Sequence, residues 1–453
     1  MTDTRPRFTG HDIMALGIPA GPHMGAMIAR ANALGRLDRA DLQDLLPPPT
    51  LPLRESGDFA MLAEATSADE AANLADVAAT MRELMRTPVL RAGAVMPDAC
   101  PTGATGTIPV GGVAVSEAIH PGMHSADICC SVAISVYPDL APAALLDRIH
   151  AVTHFGPGGR ADMDLPEEIA ARVDANPFTR DLIDTARSHF GTQGDGNHFA
   201  YVGQLKSDGR TVLVTHHGSR GFGAKLYKKG MRAAEAYRQK LSPETLKQNA
   251  WIPADSREGE DYWQALQIAR AWTKASHFAL HDAAGKAADR FWNEHNFVFR
   301  KPDGLFYHGK GATPAFPGWA EDATDLTLIP LNMAEPVLIT RGLNRAEAQG
   351  FAPHGAGRNF SRGEHARRGL GDVAGETQGL DVRFYSGKPD RSELPSGYKN
   401  AAEVKRQIAH FGLAEVVDEV LPHGCIMAGD WEQDAPWRRK RAEKQAARQA
   451  SGD

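Results

Sequence analysis

Thr211-Val212-Leu213-Val214-Thr215-His216-His217-Gly218-Ser219-Arg220-Gly221 passes from an apolar, β-branched run into a polar loop that carries two glycines. Thr211 to Thr215 has the composition of a strand. The glycines punctuate it, and helical spacing follows from Leu226 to Gln239. The same alternation recurs on both sides. Val132 to Tyr137 and Pro336 to Arg341 read as strands, and Tyr262 to Trp292 as one long helix that Glu294-His295-Asn296 closes. Irregular, Gly-rich connections without a repeated strand–helix–strand unit predict an α+β fold.

The N-terminal part reads differently. Thr9-Gly10 caps a short helix from His11 to Leu16, Gly17 to Pro22 turns, and a second helix runs from Met24 to about Leu34. Pro47-Pro48-Pro49 is an extended linker, and helical spacing returns from Asp69 to Met85 and stops at Pro88. Residues 1–88 are therefore expected to form a small helical appendage with its linker, 89–429 a catalytic body, and 430–453 a basic tail. The tail carries Arg438-Arg439-Lys440-Arg441, Lys444 and Arg448. It reads either as a helix on RNA phosphates or as a solvated charge run.

A chain of 453 residues, 42% hydrophobic and 23% charged, belongs among soluble globular proteins. Its net charge of −6 gives no global attraction to nucleic acid or an anionic membrane, so any nucleic-acid binding needs a local basic surface. No apolar run is long enough to span a bilayer, and MTDTRPRFTG lacks a signal-peptide core. The four cysteines make no disulfide framework. A cytoplasmic protein without a membrane partner is expected.

The chemistry gathers in short clusters beside predicted elements: Asp127-Ile128-Cys129-Cys130, Gly196-Asn197-His198-Phe199, His216-His217-Gly218, Glu294-His295-Asn296 and His308-Gly309-Lys310-Gly311. Asp, Cys and His together make a mixed oxygen, sulfur and nitrogen donor set, suited to a borderline divalent ion such as Mn²⁺ or Zn²⁺. Strand alternation would turn Cys129 toward the core and His217 away from the metals. In Pro353-His354-Gly355-Ala356-Gly357-Arg358, both glycines are expected at positive φ. Arg358 and Arg362 would hold phosphate oxygens there. His354 faces the same anion as a base, a metal ligand or a nucleophile.

Taken in order, Met96-Pro97-Asp98, Asp127-x-x-Cys130, Gly196-Asn197-His198-Phe199, His216-x-Gly218-Ser219-Arg220-Gly221, His295-Asn296, Lys310-Gly311-Ala312-Thr313, His354-Gly355-Ala356-Gly357-Arg358 and Pro395-x-x-Tyr398-Lys399 resemble the RtcB family of GTP-dependent RNA ligases. The resemblance covers about residues 89–429. It implies a mixed α/β catalytic body using two Mn²⁺ ions and GTP. The implied substrates are RNA 3′-phosphate or 2′,3′-cyclic phosphate ends and 5′-hydroxyl ends, as in RNA repair and tRNA splicing. It assigns His354 as the guanylylated residue, Asp127, Cys130, His198, His216 and His295 as metal ligands, and Asn197 with His354, Gly355, Ala356, Gly357 and Arg358 as nucleotide contacts. Asp98 is implied to orient the metal-bound cysteine.

Some positions depart from that pattern. Pro101-Thr102-Gly103-Ala104-Thr105 lacks the family's lysine, and Tyr201 stands where an acidic residue is usual. Pro330-Leu331-Asn332-Met333-Ala334 replaces PGSMG, and Ala428-Gly429 aligns with a terminal Lys-Gly. Weaker nucleotide discrimination is expected, with Arg438 as a candidate replacement for the lysine. The rival expectations are nucleotidyl transfer to another phosphorylated end, a cyclic phosphodiesterase, or an inactive RNA-end sensor.

Overall fold

Side chains along Phe199–Leu205 and Ala414–Met427 alternate between two apolar surfaces in the computed structural model, which describes residues 7–46 and 49–431. Tyr201, Cys425 and Met427 join one buried cluster, while Ala200, Val202, Ile426 and Ala428 join another. A two-residue period with both faces apolar is the signature of a sheet covered on both sides. This larger sheet runs in the order Leu326–Pro330, Val337–Gly342, Ala414–Met427, Phe199–Leu205, Thr211–His217, Ser131–Tyr137 and Arg290–Glu294. All these neighbours are antiparallel, and Asp381–Phe384 adds a parallel pairing to Ala414–Met427. Leu145, Leu146 and Ile149 of the helix Pro142–Val152, with Leu280 of the helix Arg257–Ala284, cover the second surface.

A five-stranded sheet lies beside it, in the order Phe59–Met61, Leu90–Cys100, Val110–Ser116, Phe306–Lys310 and Asn296–Arg300. The helix Ala68–Leu84, capped where Ser67 accepts from the Glu70 amide at 3.2 Å, packs Val77, Met81 and Leu84 on this sheet. The helices Gly10–Ala15 and Met24–Leu34 enclose a small core of their own with Leu42, from Ile13, Ile18 and Met27. The mixture of helix with largely antiparallel sheets is the α+β architecture expected. Residues 432–453, which hold the basic run and Arg438, lie outside the described residues, as do Pro47 and Pro48 of the linker.

One expectation is corrected. The long helix is Arg257–Ala284 and does not reach Trp292. Arg290–Glu294 is an edge strand, antiparallel to Ser131–Tyr137. Phe291 and Trp292 continue the helical apolar spacing, but a free sheet edge offers their backbone a hydrogen-bond ladder, and tertiary context overrides the local period. The consequence is functional. Glu294 ends the larger sheet, Asn296 begins the smaller one, and His295 alone joins them.

Candidate active site at the meeting of the two sheets

Four backbone segments converge at His295. Cys130 immediately precedes the strand Ser131–Tyr137, His198 precedes Phe199–Leu205, and His216 lies on Thr211–His217. The His295 amide donates to the Cys130 carbonyl at 2.9 Å, and Cys129 donates to the Asn296 carbonyl at 2.8 Å. Cys130 Sγ is 3.5 Å from His198 Nε2 and 3.2 Å from His216 Nε2. Asp127 Oδ2 lies 3.2 Å from His198 Nε2, and His295 Nε2 lies 3.2 Å from His216 Nε2. The five residues named as ligands thus form one chain of contacts with the thiol at its centre. Gly218 allows it to close, because a Cβ there would sit 2.1 Å from the Asp127 carboxylate.

The donor chemistry fits a cation. His198 Nδ1 lies 2.6 Å from the Gln193 carbonyl and His216 Nδ1 3.0 Å from that of Asn197, so each Nδ1–H donates outward and each Nε2 is turned toward the cluster. Burial, reinforced by His198, pushes His216 down to about 3, and burial with His354 nearby pushes His295 down as well. His216 and His295 are therefore neutral, the form that ligates metals. Burial would raise the Asp127 carboxyl, but the hydrogen bond and charge of His198 outweigh it and hold it below the usual range. Burial, then the charge of Asp127, pushes the Cys130 thiol up. A carboxylate, a thiol and imidazole nitrogens turned inward within contact distance make a mixed O, S and N donor set that a divalent cation would satisfy. Cys130, His198 and His216 bring ligand atoms within 4.8 Å of one another.

Cys129 and His217 face elsewhere. Cys129 is buried in the main core, although it sits in a turn at φ 60° and not in a strand. His217 stacks on His277 with ring centroids 3.5 Å apart, on the far side of the sheet from His216.

His354 follows the short strand Phe351–Pro353 and stacks obliquely on His295, with centroids 4.9 Å apart. Its Nδ1 lies 2.5 Å from Asp98 Oδ2, and its backbone amide donates to the same oxygen at 3.1 Å. The group that Asp98 orients is therefore His354, where the resemblance had implied the cysteine. With Nδ1–H committed to a carboxylate, Nε2 carries the lone pair. Gly357 takes φ +73°, and a Cβ on it would lie 2.1 Å from the Asp98 carbonyl. Gly355 is not at positive φ, contrary to expectation; it is close to the Pro330 carbonyl instead.

The family model described as tRNA-splicing ligase RtcB matches residues 155–428. The chain belongs to the RtcB family. This RtcB-family protein is 30% identical over 324 residues to the tRNA-splicing ligase RtcB of Archaeoglobus fulgidus, covering 59% of this chain and 66% of that one. It is 25% identical over 404 residues to the RNA-splicing ligase RtcB of Mycobacterium tuberculosis, covering 70% and 93%. With the protein of Pyrococcus furiosus, a tRNA-splicing ligase RtcB, the identity is 26% over 339 residues, and 34% of that chain is covered. The chain thus spans between a third and two thirds of the length of the first relatives it matches. Met96–Asp98 and Asp127–Cys130 precede the stretch matched by the family model.

The RtcB-family site opens into a cavity. Its polar lining includes His354, Asn197, His216, Asn332, Arg358, Arg362, Glu393 and Tyr398, and its apolar lining includes Phe199, Tyr201, Leu331, Met333, Val337, Cys425 and Met427. Tyr201 turns its hydroxyl to the Val420 carbonyl at 3.0 Å, so its ring is what the cavity meets. Ala428 is fully buried on the opposite face of its strand, packed with Phe155 and Ala200. The position aligned with the family's lysine therefore faces the helix-covered core and not the cavity. Met427, one residue earlier, faces inward.

Sequence reading overlooked Glu393. This buried carboxylate receives the Tyr398 hydroxyl at 2.5 Å and Arg362 Nε at 2.5 Å, with Arg358 Nη1 at 3.4 Å. Arg358 also donates to the carbonyls of Ser392 at 2.7 Å and Phe360 at 3.2 Å. Much of its donor capacity thus holds the cavity wall. A lone glutamate before Pro395 carries no spacing signal that would have marked it. The hydrogen-bond acceptors that orient His198 and His216 are backbone carbonyls, which no residue type reveals.

Proposed function

We propose that this RtcB-family protein is an RNA ligase that seals 3′-phosphate or 2′,3′-cyclic phosphate ends to 5′-hydroxyl ends through a covalent His354–nucleotide intermediate. The observation that carries the reading is the Asp98–His354 pair. It commits Nδ1–H and leaves the Nε2 lone pair beside a cluster of metal donors. His354 Nε2 would attack the α-phosphorus of GTP, forming a P–N bond as the P–O bond to pyrophosphate breaks. Asp98 stabilises the positive charge that the ring gains. The nucleotidyl group then passes to the RNA 3′-phosphate, and attack by the 5′-hydroxyl releases GMP and closes the strand. Asp127, Cys130, His198, His216 and His295 would hold the two Mn²⁺ ions, with the Cys130 thiolate among their donors. When bound, such ions neutralise phosphate charge and keep the thiol deprotonated. Asn197, which lines the cavity, would meet phosphate oxygens. The free thiols Cys100, Cys129, Cys130 and Cys425 fit a reducing cytoplasm, and among the described residues no helix is long and apolar enough to cross a membrane.

The decisive experiment incubates the protein with Mn²⁺ and α-labelled GTP and looks for an acid-labile, base-stable protein–nucleotide bond. Absence of any such bond would remove the ligase reading. The apolar cavity favours a second reading, in which the same His354 chemistry transfers other nucleotides to a phosphorylated end. Comparing GTP, ATP and dGTP labelling separates the two.

A further inference from the structure

The helix Arg220–Leu241 begins three residues after His216–His217 and runs away from the site. Beside it lies an open groove of about 690 Å³, separate from the nucleotide cavity. Lys225, Lys228 and Arg232 recur on one face of the helix and are exposed, and Lys247 faces them from the following segment. The two acids in the groove are already engaged. Asp181 pairs with Lys229, and Glu235 pairs with Arg238 Nε at 2.7 Å. Among the described residues no carboxylate lies within ion-pair distance of Lys225, Lys228, Arg232 or Lys247. Elsewhere on the surface Arg30, Arg36, Arg91, Arg210 and Arg290 have acidic partners, while single exposed cations such as Arg82, Arg172 and Lys286 have none among the described residues; the groove is set apart by gathering four of them. With Lys229, the four cations outnumber the groove's two carboxylates, Asp181 and Glu235, so a chain of net charge −6 carries here a local field opposite in sign to the whole.

The floor of the groove differs from its rim. Tyr227 and Met231 are partly buried there, with Tyr227 packed against the main core. A basic rim over an aromatic floor suits a single strand, whose phosphates meet the cations while a base lies on the ring. An acidic polypeptide would meet the charges and leave the ring unused. At 1.5 Å per residue, Lys228 stands about 12 Å along the axis from Arg220, so the helix that follows His216–His217 carries the groove's cations about two turns on. We propose that this groove binds the phosphate backbone of single-stranded RNA next to the end being joined. The proposal rests on the ligase reading above, and its test separates the two.

The test uses the full chain and the Lys228→Gln/Arg232→Gln variant. Covalent labelling of His354 by α-labelled GTP reports the reading, and anisotropy of a fluorescein-labelled single-stranded RNA with a 3′-phosphate reports the groove. Labelling is expected within about twofold of the parent, and RNA affinity about tenfold lower. The slope of log affinity against log salt should fall by about 1.4, the loss of two single-strand phosphate contacts. Lys225→Gln/Lys247→Gln, from the other side of the groove, should weaken RNA binding in the same direction and guards against a folding defect in either variant. Unchanged RNA affinity and slope in both variants would overturn the proposal and leave the groove to an acidic protein partner. Labelling lost in the parent while the RNA effects persist would sink the ligase reading and keep the groove.

Discussion

Asp98 Oδ2 receives both the ring Nδ1–H and the backbone amide of His354, at 2.5 and 3.1 Å. One oxygen fixes the tautomer, the ring plane and the position of the backbone together. Asp98 itself is fully buried and comes from the smaller sheet, so His354 is held by a layer different from the one that carries Cys130, His198 and His216. Replacing Asp98 with Asn should slow covalent labelling about 10- to 100-fold, the usual cost of removing a group that orients a reactive imidazole. Metal content should hold. His354→Ala should abolish labelling with metal content nearly unchanged, and undiminished labelling of that variant would take His354 out of the mechanism.

Cys130 and Cys129 are adjacent but not equivalent. Cys130→Ala removes the atom common to the donor chain, and should lose both bound metal, measured by elemental analysis, and labelling. Cys129→Ala trims a core side chain and should cost about 1 kcal/mol of stability while keeping most activity. Equal loss of metal in both variants would mean that the shared donor has been misassigned.

Nucleotide choice should be loose. The inner cavity offers Phe199, Leu331, Met333, Val337 and Met427, with the Tyr201 hydroxyl turned away. These apolar walls reject a wrong base only by shape, and the polar Arg358, Arg362, Tyr398 and Glu393 are engaged with one another, so ATP labelling should come within about a hundredfold of GTP labelling. Strict GTP dependence of the unmodified chain would refute this.

Restoring a lysine tests the fold as much as the chemistry. Ala428→Lys would drive an ammonium into the core beside Phe155, and should destabilise by more than about 3 kcal/mol. Met427→Lys enters the cavity and should be tolerated far better. Urea unfolding midpoints of the two variants decide the matter, and similar midpoints would show that the strand is out of register.

Burial pushes Lys310 down to about 8, with its Nζ held by the Ile108 carbonyl at 3.1 Å and Thr102 at 3.0 Å. Lys301 is likewise lowered to about 8 by burial. The folded chain releases these protons at lower pH than the unfolded chain, which keeps them to about 10.4, so the unfolded state binds more protons across that window. Each lysine therefore makes stability rise with pH between about 8 and 10. Lys310→Met should flatten that rise in urea midpoints, and a slope equal to the parent's would contradict the assignment.

Much was legible before any coordinates. Val132–Tyr137 and Thr211–Thr215 are β-branched and bounded by turn residues, and both strands are present, extended by one or two residues. Met24–Leu34 carries its glycine stop in Gly35 and is a helix as expected. The expected ligands were marked by their own chemistry, since Asp, Cys and His beside strand ends are informative residue types. Arg290–Glu294 misled because an edge strand with two aromatics has the same apolar spacing as the end of a helix.

What the sequence determined by itself was local: strand and helix periods, the donor types, and the ordered motifs of the RtcB family. Pairing across the chain needed the tertiary structure. Asp98 and His354 are separated by 256 positions, and only the approach of the smaller sheet to the Gly355–Gly357 turn makes them partners. Ala428 aligns with the family's lysine yet faces the core, because the face a residue of an extended segment takes depends on register. A shift of one position exchanges inside for outside, and the register is set by packing against the neighbouring strand Phe199–Leu205 and the helices behind it.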